Sequence, residues 1–397
     1  MDILILLLFI IEVFILIKVE RMLFGTFLTP VTALAIPYII IVVLIYLIGP
    51  LFGFVEFYYG SILFWMLGLF VFWLPGVLIA IIAIKKTNIY SYPFNFQQSS
   101  KSKSILIFSY IVIIFLIFCV IQAIQFGKLG SVPFQASFGT GISGHVLLLS
   151  HLLYTYLIID YRRRYVVPIS LFLVLYLLYG AKSWILIPTI GGVFARLIIY
   201  KKSINVSLLI KIMVAAFILF YLSYRLVLGP DMPFSFVYKH FLSYLFSGTL
   251  GWSEYIKHNG DMDIDNLMLI NPLVNIYNKI SGVELQSISS NVLTYIGSNF
   301  YPNVKTFFGT IFMYAGIKLG LLYVFIYGVV TYSLLTLTIK TGDKLMLILY
   351  ILYLGALLFG WFDLYFNNLF YYEITFVCIL LFVLRNLRSI KSPKFIK

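Results

Sequence analysis

Long apolar runs, each close to the length of a bilayer crossing, follow one another along this chain, separated by short basic clusters. A crossing helix needs about 20 mostly apolar residues, because its rise of ~1.5 Å per residue must cover a hydrocarbon layer about 30 Å thick. Such runs occupy 3–18, 31–49, 61–84, 104–124, 141–159, 165–180, 183–199, 207–228, 318–339, 345–362 and 367–384. Of the 397 residues, 62% are hydrophobic and 11% charged. A soluble domain is about half apolar and a quarter charged, so this chain lacks the polar surface to cover itself in water. The expectation is an all-α polytopic membrane protein with about 11 transmembrane helices, forming one membrane domain over 1–397. The first run has no basic leader and no small-residue cleavage site after it, so it reads as a retained helix.

The net charge of +14 does not point to nucleic acid. The basic residues sit between the apolar runs, as in Lys85/Lys86, Arg162 to Arg164, Lys201/Lys202 and the tail from Arg385, and not on one polar face. With the C-terminus cytoplasmic, 19 of the 28 basic residues fall on the cytoplasmic side. The positive-inside rule then places the N-terminus outside. Cys119 and Cys378, both in apolar runs, read as buried thiols.

One segment breaks the pattern. From Gly229 to Ile317 the chain is polar, aromatic and proline-containing, and too rich in Tyr, Phe and Trp to be disordered. It is expected to form a large extracytoplasmic loop, 229–317, with short surface or re-entrant helices at 234–247, 286–300 and 304–316. Irregular backbone at membrane depth is tolerated only where protein surrounds it or it lines a cavity.

Several stretches carry a family likeness. Gly139-Thr140-Gly141-Ile142-Ser143-Gly144 opens a span. Tyr179-Gly180-Ala181-Lys182-Ser183 forms a short turn with a cation. Pro302-Asn303-Val304-Lys305-Thr306-Phe307-Phe308-Gly309 precedes Tyr314-Ala315-Gly316 and Gly320. In these stretches and in hydropathy order the chain resembles Wzy-type repeat-unit polymerases of bacterial O-antigen, capsule or exopolysaccharide. It departs from them in having Ala315 where related proteins often carry an acid. The Lys128 to Gly139 and Lys305 to Gly316 spacings match a pattern that some relatives build with arginine, which grips phosphate bidentately as lysine does not.

The resemblance implies transfer of a growing glycan from undecaprenyl pyrophosphate onto a new lipid-linked repeat unit at the outer leaflet, with a chain-length-regulating co-polymerase as a possible partner. A leaving pyrophosphate needs cations more than a general acid. The candidates are Lys128, Lys182, Arg225 and Lys305, each of which also fits as a snorkelling interfacial cation. An acceptor hydroxyl calls for a base, with His240, Glu254 and His258 as candidates and Glu284 nearby. Glu254 and His258 are spaced i, i+4, so one helical turn would join them.

Other polar groups fit bland roles. His145 and His151 read as packed histidines of a span. Glu12 and Glu373, in the first and last runs, read as inward-pairing acids. Trp252, Tyr255, Tyr295, Phe300 and Tyr301 read as loop core or as sugar-stacking faces. Asp261-Met262-Asp263-Ile264-Asp265 offers alternating carboxylates, but the calcium-loop pattern fails at Asn266 and Pro272, leaving a solvated acidic turn. No cofactor, metal or nucleotide is expected. Two rivals remain: an O-antigen ligase, and a lipid-linked oligosaccharide flippase. A flippase should show two similar halves and polar helix faces lining a path, neither of which is visible here.

Overall fold

The structure is a computed structural model. It describes residues 2–83, 102–180, 182–199, 233–258, 260–262, 264–286 and 292–391, together with 214, 217, 218, 221 and 222. The expected span over 207–228 falls largely outside these residues, as does Arg225. Among the described residues the secondary structure is helical, with one isolated β-bridge between Phe54 and Gly297.

The helices are α1 (Asp2–Phe24), α2 (Pro30–Ile48), α3 (Gly60–Ala83), α4 (Ser102–Ala123), α5 (Val132–Phe138), α6 (Gly141–Ile159), α7 (Val166–Tyr179), α8 (Lys182–Ile199), α9 (Phe234–Lys257), α10 (Asn271–Ser281), α11 (Phe307–Thr341), α12 (Lys344–Leu358) and α13 (Leu369–Lys391). Among the described residues six stretches are long and apolar enough to cross a membrane: α2, α3, Lys103–Ala123, α6, α11 and Leu369–Leu387. Ser183–Leu197 and Lys344–Leu358 are shorter apolar helices. The chain is therefore an all-α membrane protein.

The chain packs as two compact units. The first comprises Met1–Pro93, Ile204–Thr336 and Tyr353–Asn368, and the second Phe94–Ser203, Leu337–Leu352 and Leu369–Lys397. In the first unit α1 packs on α2 and α3, and α9 lies against both α2 and α3. Glu20, fully buried near the end of α1, accepts from the Val31 backbone N–H at 3.3 Å and from the Tyr332 hydroxyl. One carboxylate thus satisfies an orphan donor in the first turn of α2 and joins α1 to α11. In the second unit α6 is central, packed on α4, α7, α8 and α13.

The loop departs from expectation in three places. The helix expected at 234–247 continues to Lys257. Residues 292–300, expected to be helical, are not. Gly297, Ser298 and Asn299 all have positive φ, at 95°, 50° and 62°, which ends any right-handed helix. Their turn is instead tied by Ile296 N–H to Phe300 O and by Val55 N–H to Ile296 O. Helix α10, with the 3-10 turn Asn266–Ile270 before it, was not anticipated.

The third expected helix is present and ends at Gly316, ahead of the next span. Within α11, Gly316 has φ 64° and ψ −177°, a conformation essentially reserved for glycine. The break leaves a half-helix, Phe307–Ala315, buried throughout, ahead of a long helix from Ile317. Replacing Gly316 by Ala is expected to cost roughly 1–3 kcal/mol in backbone strain. A lowered thermal unfolding midpoint in detergent would register it, and an unchanged midpoint would mean that the break relaxes.

Candidate functional site

The polar groups of the first unit gather where α9 meets the start of the half-helix. Residues three, four and seven apart share a helix face, so Gly251, Glu254, Tyr255 and His258 line one side of α9. Two glycines let main chain come close to α9. A β-carbon at Gly248 would lie 2.0 Å from the Phe362 carbonyl oxygen, and one at Gly251 would lie 2.7 Å from that of Val304. The Thr249 hydroxyl donates to the Trp361 carbonyl at 3.1 Å, and Ser253 Oγ accepts from the Tyr58 N–H at 2.6 Å.

Lys305 enters this junction with only 1% of its surface exposed. Its ammonium donates to the Val292 carbonyl at 3.2 Å and stands 5.7 Å from the centre of the Tyr255 ring, a cation–π arrangement. Thr306 caps the half-helix: its Oγ1 accepts from Gly309 N–H at 3.0 Å and from Trp65 Nε1 at 3.1 Å. Asp363, between α12 and α13, accepts from Leu364 N–H at 2.8 Å and from the Thr310 hydroxyl at 2.9 Å.

The two opposite charges influence each other. Burial lowers the Lys305 ammonium from 10.5 to about 8, and the Asp363 carboxylate partly offsets this. Burial raises Asp363 from 3.8 to about 6, against the pull of the Leu364 N–H, the Thr310 hydroxyl and Lys305. Desolvation is the larger effect for each group. On the exposed turn of the same α9 face, Glu254 is nearly buried and holds Lys257 Nζ at 3.3 Å and His258 Nε2 at 3.3 Å.

Of the residues singled out in the sequence, His240, Glu254, His258, Glu284 and Lys305 belong to this unit, and Glu254 and His258 pair as their spacing implied. His240 lies 14 positions before Glu254 on the same helix, about 21 Å away along the axis. It is stacked on Phe236 and packed edge-on against Tyr244, so the structure does not bring it to the pair. Lys128, exposed between α4 and α5, and Lys182, which opens α8, belong to the second unit. Glu284 is exposed beyond α10. Asp265 spends its carboxylate on capping, accepting from Leu267 N–H at 3.0 Å. No cluster of three His, Cys, Asp or Glu side chains occurs among the described residues. Trp252 is loop core, stacked on Tyr255, whereas Tyr295 and Tyr301 are exposed.

Asp363 was missed. The available signal was an acid flanked by aromatics, Trp361-Phe362-Asp363, at the edge of an apolar run, where a carboxylate is costly. In the second unit, His145 Nδ1 meets Glu373 Oε1 at 2.6 Å, so Glu373 does find a partner. His151 is packed on Tyr176, with its ring nitrogens on the Leu147, Leu148 and Trp184 carbonyls.

Comparison with protein-family profiles matches residues 53–391 to DUF6337, a family of unknown function. The chain belongs to that family. The match takes in α9, Lys305, the broken helix and Asp363. Neither a curated protein nor a solved structure matches the chain.

Two outcomes are expected. The first concerns packing against charge. Gly251→Ala should destabilise by roughly 1–3 kcal/mol through overpacking, whereas Lys305→Met should leave the unfolding midpoint unchanged or higher, since a desolvated ammonium costs free energy. Equal losses in both variants would contradict this. The second concerns pH. The folded state sheds the Lys305 proton early, so stability from this group rises from pH about 8 towards 10.5. It holds the Asp363 proton late, so stability from this group rises as pH falls from about 6 towards 3.8. The two contributions are therefore least favourable between about 6 and 8, and a Lys305→Met/Asp363→Asn double variant should lose both slopes in a pH series of thermal midpoints.

Proposed function

We propose that this chain is a repeat-unit polymerase of bacterial surface polysaccharide. In this reading it is a membrane glycosyltransferase with about 11 spans, its N-terminus outside and its C-terminus in the cytoplasm of a bacterial inner membrane. The loop 229–317 roofs an outer-leaflet cavity that takes undecaprenyl-pyrophosphate-linked glycans. The observation that carries the reading is the buried ammonium of Lys305 at the start of the half-helix, next to Asp363 and on the α9 face that bears Glu254 and His258.

A donor pyrophosphate is an anion that must leave from an apolar setting. An ammonium already stripped of water stabilises such a charge more strongly than a solvated one. The positive end of the half-helix dipole adds to this field. The field of Asp363 favours the charged form of Lys305. The acceptor sugar hydroxyl attacks the anomeric carbon of the donor glycan. The new C–O bond forms as the bond to pyrophosphate breaks, and the bonding pair leaves with the lipid pyrophosphate. His258, held through Nε2 by Glu254, accepts the hydroxyl proton, and Glu254 stabilises the resulting imidazolium. No step calls for a nucleotide or a metal.

Reconstitution with a lipid-linked repeat unit tests the reading. The expected product is a ladder that persists with chelator. A single unchanged band defeats it, and one transfer onto a lipid A-core acceptor would favour a ligase. Chain extension should run best between pH about 6 and about 8. The upper limb should move to higher pH in Lys305→Arg, because guanidinium stays charged. His258→Gln should slow extension by about 10²–10⁴-fold, the range of general-base contributions.

A further inference from the structure

Helix α10 presents an exposed apolar stripe. Leu273, Ile276, Tyr277 and Ile280 are all exposed, Ile280 at 82%. Their i, i+3, i+4, i+7 spacing puts them within one face of about 100°. Asn271, Asn275, Asn278 and Lys279 occupy the opposite side, and Gly282 at φ 70° closes the helix. Val283 and Leu285, also exposed, follow directly.

The height of this helix follows from one hydrogen bond. The 3-10 turn Asn266–Ile270 runs directly into α10, and its Leu269 carbonyl accepts from the Tyr327 hydroxyl at 3.2 Å. Tyr327 lies ten residues beyond Ile317, where the long part of α11 begins, so it sits about 15 Å along a helix of ~38 Å. That is within the loop-side half of the helix, below the surface of a crossing of about 30 Å. Just upstream, Ile264 and Asp265 N–H bond the Met313 and Tyr314 carbonyls beside the Gly316 break. Between residues 264 and 269 the chain therefore descends alongside α11.

The lateral face of α11 is apolar as well. Leu322, Ile326 and Val329 are exposed at i, i+4, i+7, the side a spanning helix gives to lipid.

We propose that α10 is an in-plane membrane helix whose Leu273, Ile276, Tyr277 and Ile280 stripe lies against acyl chains of the leaflet on the loop side. Exposure of this stripe to water would leave a contiguous apolar patch unburied, whereas hydrocarbon covers it, with Asn275 and Lys279 turned to the interface. The inference concerns lipid contact alone and stands or falls apart from the chemistry at Lys305.

Site-directed spin labelling tests it. Single cysteines are placed at Leu273, Ile276, Ile280, Asn275 and Lys279 in a full-length chain with Cys119 and Cys378 replaced. Each variant is labelled and reconstituted in phosphatidylethanolamine–phosphatidylglycerol vesicles. Nitroxides at Leu273, Ile276 and Ile280 should collide several-fold more often with oxygen than with a nickel chelate, relative to those at Asn275 and Lys279. High nickel access at all five positions would put the helix in water and overturn the proposal. Low access to both reagents at the stripe would mean that protein covers it, which also overturns it. Circular dichroism of each labelled variant identifies any that fail to fold, and for those the same comparison moves to Val283 and Leu285.

Discussion

An ammonium cut off from water keeps its proton only if its surroundings return part of the lost hydration. Around Lys305 that return comes from three sources: the Val292 carbonyl, the face of Tyr255 and the field of Asp363. None is a full ion pair at contact distance, so the charge stays under-compensated. An anion entering this junction would meet a cation that gains from its arrival. A lysine paired tightly with a carboxylate would offer no such gain, because the carboxylate would have to be displaced.

The broken helix brings the lysine there. The Phe307 N–H bonds the Gly360 carbonyl at 2.7 Å, and Phe307 packs against Phe72, Tyr327 and Phe366. The half-helix thus begins beside side chains in the middle of spanning helices and climbs to Gly316 before the chain turns back. Its backbone is satisfied by its own ladder, by Thr306 and by neighbouring carbonyls, which is what irregular structure at that depth requires.

Much of this was legible in the sequence. Apolar runs gave α2, α3, α4 and α6 nearly to the residue, because crossing length and helix rise leave little choice. The change of slope at Gly316 was visible as a boundary between 304–316 and 318–339, and the Glu254–His258 spacing carried over directly. What failed was local geometry that hydropathy does not record. Ser298 and Asn299 adopt positive φ because their turn is pinned to Phe52, Phe54 and Val55, far away in sequence. Helix α10 is short and amphipathic, a pattern hard to tell from a polar loop. Lys305 read as one exposed cation among several, and Asp363 did not stand out, because their significance lies in burial, which tertiary packing alone creates.

The two glycines of α9 carry a consequence for genetics. Gly248 and Gly251 have no side chain to offer a ligand, yet each holds open the space through which the 304–305 and 361–363 main chains approach the helix. If Lys305 and His258 act as proposed, a saturation scan of this protein would flag the two glycines as strongly as those side chains. Phenotype alone would then draw the site too wide, mixing the wall with what it encloses. Bulk tolerance separates the two classes: at a glycine wall loss of function tracks side-chain volume, whereas at a working group it tracks charge and hydrogen-bonding type.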